Sequence, residues 1–563
     1  MKYANWNVPD RGAEIPPALL AAGCTPLLAA ILHLRGLSTP EAAREFLRGG
    51  AETLTNPLEL TGMVEAVQRL SRAVAAGEHV AVYGDYDVDG ITAACLLADY
   101  LRSRGLENCE LYIPDRIREG YGLNTAAIDE LAARGVSLIV TVDCGVTNLE
   151  ETAYAAQLGV DMIVTDHHEC RESLPEAEAV VDPKQSGGNG VGTALAGVGV
   201  AFKLVCAMDG DADRMLRRYG DLVAVGTVAD VMPLLGENRF ITRCGLQKIS
   251  AGDCRPGFLA LAEEAGVRNK PFTAATVGFS LAPRINAAGR LGEPRLAVEL
   301  LEATDPRRAR TLAMQLCDMN RERQALETAI WNEAVAMLGD ARPDAPIVLA
   351  AERWNPGVIG IVASRLADAF GVPAVMICLD GESGKGSCRS TGSFNLFEAL
   401  SACADCLDGF GGHAMAAGVT VRRGCVNELR QRLREYYLAH PDRTEPALTA
   451  DLLVDSPDLL SMACVESLDE LEPCGNGNPR PLLCMKSVYL DAVQPIGDKK
   501  HLRLKLSKFA QTYDGVFFSQ TALTLGAKAG QKCDIVFVPQ INEFHGRRSV
   551  QLVITDLRRA ADA

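Results

Sequence analysis

The stretch VAVYGDYDVDG, residues 80 to 90, places Asp85, Asp87 and Asp89 at every second position. Asp143 follows the apolar run VSLIVTV, and Asp166, His167, His168 and Glu169 follow VDMIVT. Asp230 stands inside another apolar stretch, LVAVGTVADVMPL. Three carboxylates on one short loop repel one another and resist ionising unless a cation neutralises them. An acid flanked by Val, Ala and Met is costly to bury unless it is paired or bound to metal. Carboxylate and imidazole donors together suit Mn²⁺ or Mg²⁺ better than a thiolate-seeking metal. Five or six such donors exceed what one catalytic ion takes from protein, and a carboxylate such as Asp143 could bridge two. Two ions about 3.5–4 Å apart clamp the attacking and leaving oxygens of a phosphoryl displacement. Hydrolysis of a phosphodiester or phosphoanhydride is therefore the favoured chemistry. A calcium loop is a rival for Asp85-x-Asp87-x-Asp89-Gly90, but it requires a bidentate Glu at loop position 12. Leu96 stands there, and a strand rather than a helix leads in.

The elements that would position these groups alternate. Val80 to Tyr83, CELYIP (109–114) and residues 136–145, 160–169 and 179–183 read as short strands, several of them continuously apolar and so fully buried. Helical patterns at 91–104, 124–135 and 149–158 separate them. That alternation means a parallel α/β sheet. Ligands of such sheets bind along the edge formed by the strands' carboxyl ends. Asp87, Asp89, Asp143, His167 and His168 all fall at those ends, so the topology itself predicts their convergence.

The chain has 563 residues, too many for one core, so two to four domains are expected. No apolar run reaches about 18 residues, the length of a membrane span. The start, MKYANWNVPDRGAE, lacks a signal-peptide pattern, so a cytoplasmic protein is expected. The 18 cysteines scatter through helix and strand patterns, as buried thiols do in a reducing compartment. Cys403 and Cys406 have no second pair to complete a zinc site. A net charge of −16 argues against a basic coat but permits a local basic groove.

Residues 1–78 read as a helical packing segment, with an N-cap and Pro pattern at Ser38, Thr39 and Pro40. Residues 79–305 hold the acidic sheet and then SLAPRINAAGRLGEP (280–294). There Arg284, Asn286 and Arg290 lie among small residues, either as a tight turn with solvated Arg or as a segment that a phosphate can approach closely. Residues 306–340 carry one long helical pattern. About 33 residues would span roughly 50 Å and connect two lobes whose facing walls form a cleft. Residues 341–440 make a smaller α/β unit. Its glycine-rich stretches hold Lys385, Ser387 and Arg389, then Gly411, Gly412 and His413. After a polar linker at 441–450, residues 451–563 turn β-rich, as a small barrel does. Lys499, Lys500, His501, Arg503, Lys505 and Lys508 interleave there with Phe517, Phe518 and Phe544, a mixture that suits single strands.

GDYDVDG (84–90), VDCG (142–145), TDHHE (165–169) and VADVMPL (228–234) resemble the successive motifs of the DHH phosphoesterase superfamily. Within it, residues 40 to 560 resemble the RecJ family of single-strand-specific 5′-to-3′ DNA exonucleases. The resemblance implies a DHH domain joined by the long helix to a substrate-binding DHHA1 domain, with a C-terminal OB-type barrel. It implies two Mn²⁺ or Mg²⁺ ions held by Asp87, Asp89, Asp143, His167 and Asp230, with Asp85 and His168 completing the site at the scissile phosphate. It implies that Ser387, Arg389 and Arg116 grip a terminal 5′ phosphate, that Tyr121 stacks on a base, and that Gly411-Gly412-His413 closes over the metal centre. The partner would be single-stranded DNA, with a single-strand-binding protein and a helicase as further partners; no membrane partner and a monomer are expected. Two departures are visible: Ala81 where small-substrate members carry a His ligand, and Asn355 where relatives often have His. Two rival readings stay open. One is another DHH enzyme (nanoRNase, cyclic dinucleotide phosphodiesterase or pyrophosphatase), although small substrates need no terminal barrel. The other is a non-catalytic single-strand-binding protein, against which the near-complete ligand set speaks.

Overall fold

Five parallel strands carry the acidic residues to one edge of a sheet. The computed structural model of the chain describes every residue except 1, 2, 4, 13, 121, 340, 341, 442–446, 498, 499, 545 and 561–563. Two compact units divide it, residues 51–444 and residues 1–50 with 445–563.

In the larger unit the strand order is Cys109–Tyr112, Val80–Gly84, Leu138–Val142, Asp161–Thr165, Ala179–Val181. The second strand in sequence lies on one side of the first and the third on the other, so a crevice opens between the tips of Val80–Gly84 and Leu138–Val142. Register sharpens this. Gly84 pairs with Val142, Val142 with Thr165, and Thr165 with Val181. The next residues along each strand, Asp85, Asp143, Asp166 and Asp182, therefore leave the sheet in one row. The two faces follow the period of two. Val80, Val82, Val140 and Ile163 join the main core, with the helices Val88–Ser103 and Gly197–Asp209. Ala81, Tyr83, Ile139 and Met162 join a second cluster with Ile128 and Ala155. Ala81 thus packs in the core on the far face, mid-strand, and is not part of the acidic edge.

The first helix begins at Val88 rather than Ile91, because Asp87 is its N-cap and accepts a hydrogen bond from Gly90 N at 3.1 Å. Residues 277–290 form no tight turn. A π-helical turn, Val277–Leu281, runs into the helix Ala282–Arg290, which buries Ile285, Ala287 and Ala288. Its small residues serve close helix packing: a Cβ on Gly289 would lie 2.4 Å from the Tyr86 carbonyl oxygen.

The 33-residue helix Pro306–Leu338 is capped by Asp305. Its first half puts Leu312, Ala313 and Leu316 into the main core, and its second half puts Ile330 and Ala334 into another. That other core covers a five-stranded mixed sheet, ordered Leu407–Gly412, Ala416–Arg422, Ser383–Arg389, Ala374–Asp380, Ile347–Ala351. The two glycine-rich stretches are strands of this sheet. At Gly386 a Cβ would meet the side chain of its cross-strand partner Val419 at 2.6 Å.

In the smaller unit, five strands close into a barrel: Leu483–Ile496, His501–Lys508, Gln511–Phe517, Arg547–Arg559 and Lys532–Phe544, the last pairing back to the first. Residues 1–78 do not act as one segment. Leu27 to Leu32, six consecutive buried residues, pack with Leu468, Leu471 and Leu483 beside the barrel. The strand Asn5–Asn7 pairs with Ala447–Thr449, and the Trp6 indole donates to Asp556 at 3.1 Å. The helix Met63–Ala76 instead packs Met63, Leu70 and Ala73 onto the acidic sheet's core. Among the described residues no helix is long and apolar enough to cross a membrane.

Candidate active site

Three overlapping groups of donors gather at the carboxyl edge: Asp85, Asp87 and Asp143; Asp89, His167 and Asp230; and Asp143, His167 and His168, each within 4.8 Å. His167 Nε2 is central. It lies 3.1 Å from Asp143 Oδ1, 3.6 Å from Asp230 Oδ2 and 3.8 Å from Asp89 Oδ2. The donors arrive from several elements. Asp85 and Asp143 leave strand tips, Asp87 caps the first helix, Asp89 lies in its first turn, and Asp230 ends the helix Ala212–Ala229. Asp143 takes a left-handed φ of 62°, and Val231, just after Asp230, takes 58°. For a β-branched residue that geometry is strained, and strain of this kind concentrates at functional sites.

Asp89 is held by the N-terminus of the helix Gly197–Asp209. Gly197 N donates to its Oδ2 at 2.6 Å and Val198 N to its Oδ1 at 2.8 Å. A Cβ on Gly197 would stand 2.5 Å from the Asp143 Cβ, so glycine is what lets the helix end reach this spot. Burial raises Asp85, Asp89 and Asp143 well above the usual carboxylate range, and neighbouring acids push in the same direction. Asp230 is pushed up to about 7 by burial and by Asp87. His167 falls to about 4 through burial and the nearby His168 charge, so its imidazole is neutral and can donate a lone pair. Asp85 Oδ1, Asp143 Oδ1, Asp230 Oδ2 and His167 Nε2 are buried without a hydrogen-bond partner. Buried polar atoms are rarely left so. Oxygen donors plus a neutral imidazole, aimed at one point, fit a pair of hard divalent cations.

His168 differs from its neighbour. Burial would lower it, but a 2.7 Å hydrogen bond and the charge of Asp166 outweigh this and raise it to about 9. Asp166 is held below its usual range in return, although burial alone would raise it; it also accepts from Val146 N at 3.0 Å and His167 N at 2.8 Å. Asp166 therefore orients the His168 imidazole and fixes the His167 backbone, a role the motif signalled only by its adjacency.

A cavity of ≈ 300 Å³ opens at this edge, lined by Asp85, Asp87, Asp143, Asp230 and His168 together with Arg116, Asn286 and Arg290. Arg116 lies over the Tyr86 ring at 4.9 Å. Asn286 Oδ1 accepts from Val88 N at 3.2 Å. Arg290 falls to about 10 because it is buried beside Arg116, Arg323 and Arg389. Arg389 is likewise lowered, by burial and then by Arg116, and it donates to Ser387 Oγ at 3.0 Å. Cations crowded so closely call for an anion.

Other described candidates are not among the residues that line this cavity. Arg284 does not line this cavity; it donates to the Ser280 carbonyl. Gly411, Gly412 and His413 form a hairpin tip whose hydrogen bonds stay local, His413 N donating to Ala416 O at 2.8 Å. Tyr121 and Lys499 lie outside the described residues. Asn355 closes a turn in which Gly357 N donates to its side chain at 2.8 Å, and Gly357 O accepts from Arg290 at 2.9 Å. On the barrel, Phe518 and Phe544 are exposed while Phe517 is buried.

Three family models match this chain: the DHH family N-terminal domain over residues 79–227, the DHHA1 domain over 344–438 and the RecJ OB domain over 451–556. The single-stranded-DNA-specific exonuclease RecJ of Bacillus subtilis (strain 168) is 40% identical over 541 residues, covering 94% of this chain and 68% of that protein. The crystal structure of RecJ in complex with Mn²⁺ from Thermus thermophilus superposes with a TM-score of 0.85 at 31% identity, covering 99% of this chain and 80% of that one. The Mg²⁺ complex of RecJ from the same organism gives 0.79 at 30% identity, covering 99% and 79%. On a likeness that runs through all three domains, the chain belongs to the RecJ family.

Proposed function

We propose that this chain is a single-stranded-DNA-specific exonuclease that works from 5′ ends and releases mononucleotides. One observation carries the reading: buried carboxylates with partnerless oxygens and the half-buried Arg116 and Arg290 line a single cavity. A phosphodiester fits between them, since its oxygens need both. The relatives named for this activity support it.

In our assignment Asp87, Asp89, Asp143, His167 and Asp230 would hold two ions. Mn²⁺ or Mg²⁺ bound there would activate water and draw charge from the phosphoryl oxygens. The chain supplies the rest. Asp85 completes the acidic wall. His168, kept protonated by Asp166, offers a charged donor to the scissile phosphate. Arg290 and Asn286, which line the same cavity, contact the same phosphate in this reading. Arg116, Ser387 and Arg389 grip the terminal 5′ phosphate, which sets the direction of digestion. The barrel holds the rest of the strand by backbone charge and by stacking on Phe518 and Phe544. We take the acting form to be a cytoplasmic monomer that meets its strands alongside a single-strand-binding protein and a helicase.

The test is digestion with Mn²⁺ of single strands labelled at one end. A 5′ label should be released at once as mononucleotide, a 3′ label only late, and blunt duplex should be spared. Release of the 3′ label first overturns the polarity. Equal turnover of cyclic dinucleotides would move the enzyme to the small-substrate branch of the superfamily.

A further inference from the structure

Arg290 reaches the cavity from the helix Ala282–Arg290, yet the hydrogen bond that orients it comes from the second lobe. Its Nη1 donates to the Gly357 carbonyl at 2.9 Å, a neutral acceptor. The turn carrying that carbonyl is built by Asn355. Asn355 Oδ1 accepts from Gly357 N at 2.8 Å, and Asn355 O accepts from Val358 N at 3.0 Å and Ile359 N at 3.1 Å. Asn closes such a turn with its own side chain, two residues on. The two backbones also touch: a Cβ on Gly357 would lie 2.1 Å from the Arg290 carbonyl oxygen. Flanking Trp354 and Val358 are buried in the second lobe's core, so the turn is fixed to that lobe.

We infer that Asn355 is a positioning residue for phosphodiester hydrolysis: through Gly357 it fixes the Arg290 guanidinium over the scissile phosphate, so the second lobe sets the geometry of the first lobe's anion site. The inference rests on the hydrolytic reading above. A fixed fork matters because a guanidinium displaced by about 1 Å can cost up to 10²-fold in rate.

The experiment compares N355A, N355S and G357A with wild-type full-length chain on a 5′-phosphorylated single strand with Mn²⁺, and repeats N355A in an R290K background. N355A should lower kcat about tenfold while KM for a long strand stays within twofold, because the strand is held by many other contacts. N355S, whose hydroxyl can close the same turn, should recover most of the loss. G357A keeps Asn355 but forces the turn away from Arg290, and should lower kcat as N355A does. In the R290K background N355A should add less than twofold, since residues acting through one group are not additive. Near-wild-type kcat in both N355A and G357A overturns the inference, as do fully additive losses with R290K. A wild-type chain that cleaves no single strand overturns the hydrolytic reading instead, so the two failures are distinguishable.

Discussion

Asp230 has a carboxyl that titrates near neutrality, and this gives the metal site a direction in pH. Its folded value of about 7 exceeds the unfolded 3.8, through burial and then Asp87. Asp85, Asp89 and Asp143 shift the same way. A raised acid binds its proton more tightly in the folded state, so its stabilisation is complete below about pH 4 and is lost as pH rises through 7. His167 runs oppositely: its folded value of about 4 costs stability only as pH falls below the usual 6.5, so it stays neutral where the enzyme works. Metal-free protein should therefore melt at lower temperature at pH 8 than at pH 6. Mn²⁺ should raise the melting temperature more at pH 8, because protons compete with it at pH 6. Melting curves with chelator and with Mn²⁺ across this range check it; a Mn²⁺ increment that does not grow with pH refutes the shared carboxylate site. At the same scale, Asp143→Asn keeps a side chain that tolerates φ 62° but loses the negative charge. Turnover should fall by about 10²–10³-fold, of the order seen when one electrostatic contact to the reacting centre is removed, with melting little changed. Steady-state kinetics with Mn²⁺ and a chelator-treated melt separate these effects.

The elements show what the sequence could and could not reveal. Apolar runs ending in Asp made the strand tips legible, because buried parallel strands are continuous apolar stretches and their acids stand out. The convergence at the edge followed from topology alone. Ala81 departs from the His of small-substrate members, and period-two alternation turns its side chain to the opposite face, into the Tyr83 cluster. The glycine-rich stretches carry no strand signal because glycine is the turn residue, yet they form strands. Gly197 could not be recognised at all. It precedes an apolar helix with no motif, and its role depends on Asp89 and Asp143 arriving from other elements. Gly197→Ala should push the helix end off Asp89, whose carboxylate then loses two backbone donors. We expect about 1–3 kcal/mol of destabilisation from overpacking and at least tenfold weaker Mn²⁺ binding. Gly278→Ala is the matched control, since its Cβ would meet only Val228, at 3.9 Å. Calorimetric titration of both variants decides; unchanged Mn²⁺ affinity in Gly197→Ala would remove the helix end from the site.

At the scale of the molecule, chain order and spatial order part at Gly50. Residues 1–78 read as one helical segment with no chemistry, and nothing local says which core receives Leu27 to Leu32. Their partners, Leu468, Leu471 and Leu483, lie more than 400 positions away, a distance no periodicity spans. This changes how the barrel must be removed to test its role. Cutting at residue 450 would leave six consecutive buried residues with no core to cover them. At roughly 0.8 kcal/mol per buried methylene, their exposure outweighs the margin of a typical domain and invites aggregation. The fragment 51–444 keeps the acidic sheet, the long helix and the second sheet as one unit. It should fold, and with Mn²⁺ it should cleave oligonucleotides of a few nucleotides at a rate within about tenfold of the full chain. Its affinity for strands of 20 or more nucleotides should fall by about 10²-fold, as the loss of two or three stacked bases at ~1–3 kcal/mol each implies. Binding titrations on short and long strands, run beside the full chain and the 1–450 fragment, check all three expectations. A 51–444 fragment that binds long strands as tightly as the full chain would take the barrel out of substrate binding. A 1–450 fragment as soluble and as stable as 51–444 would show that the first 50 residues do not depend on the barrel.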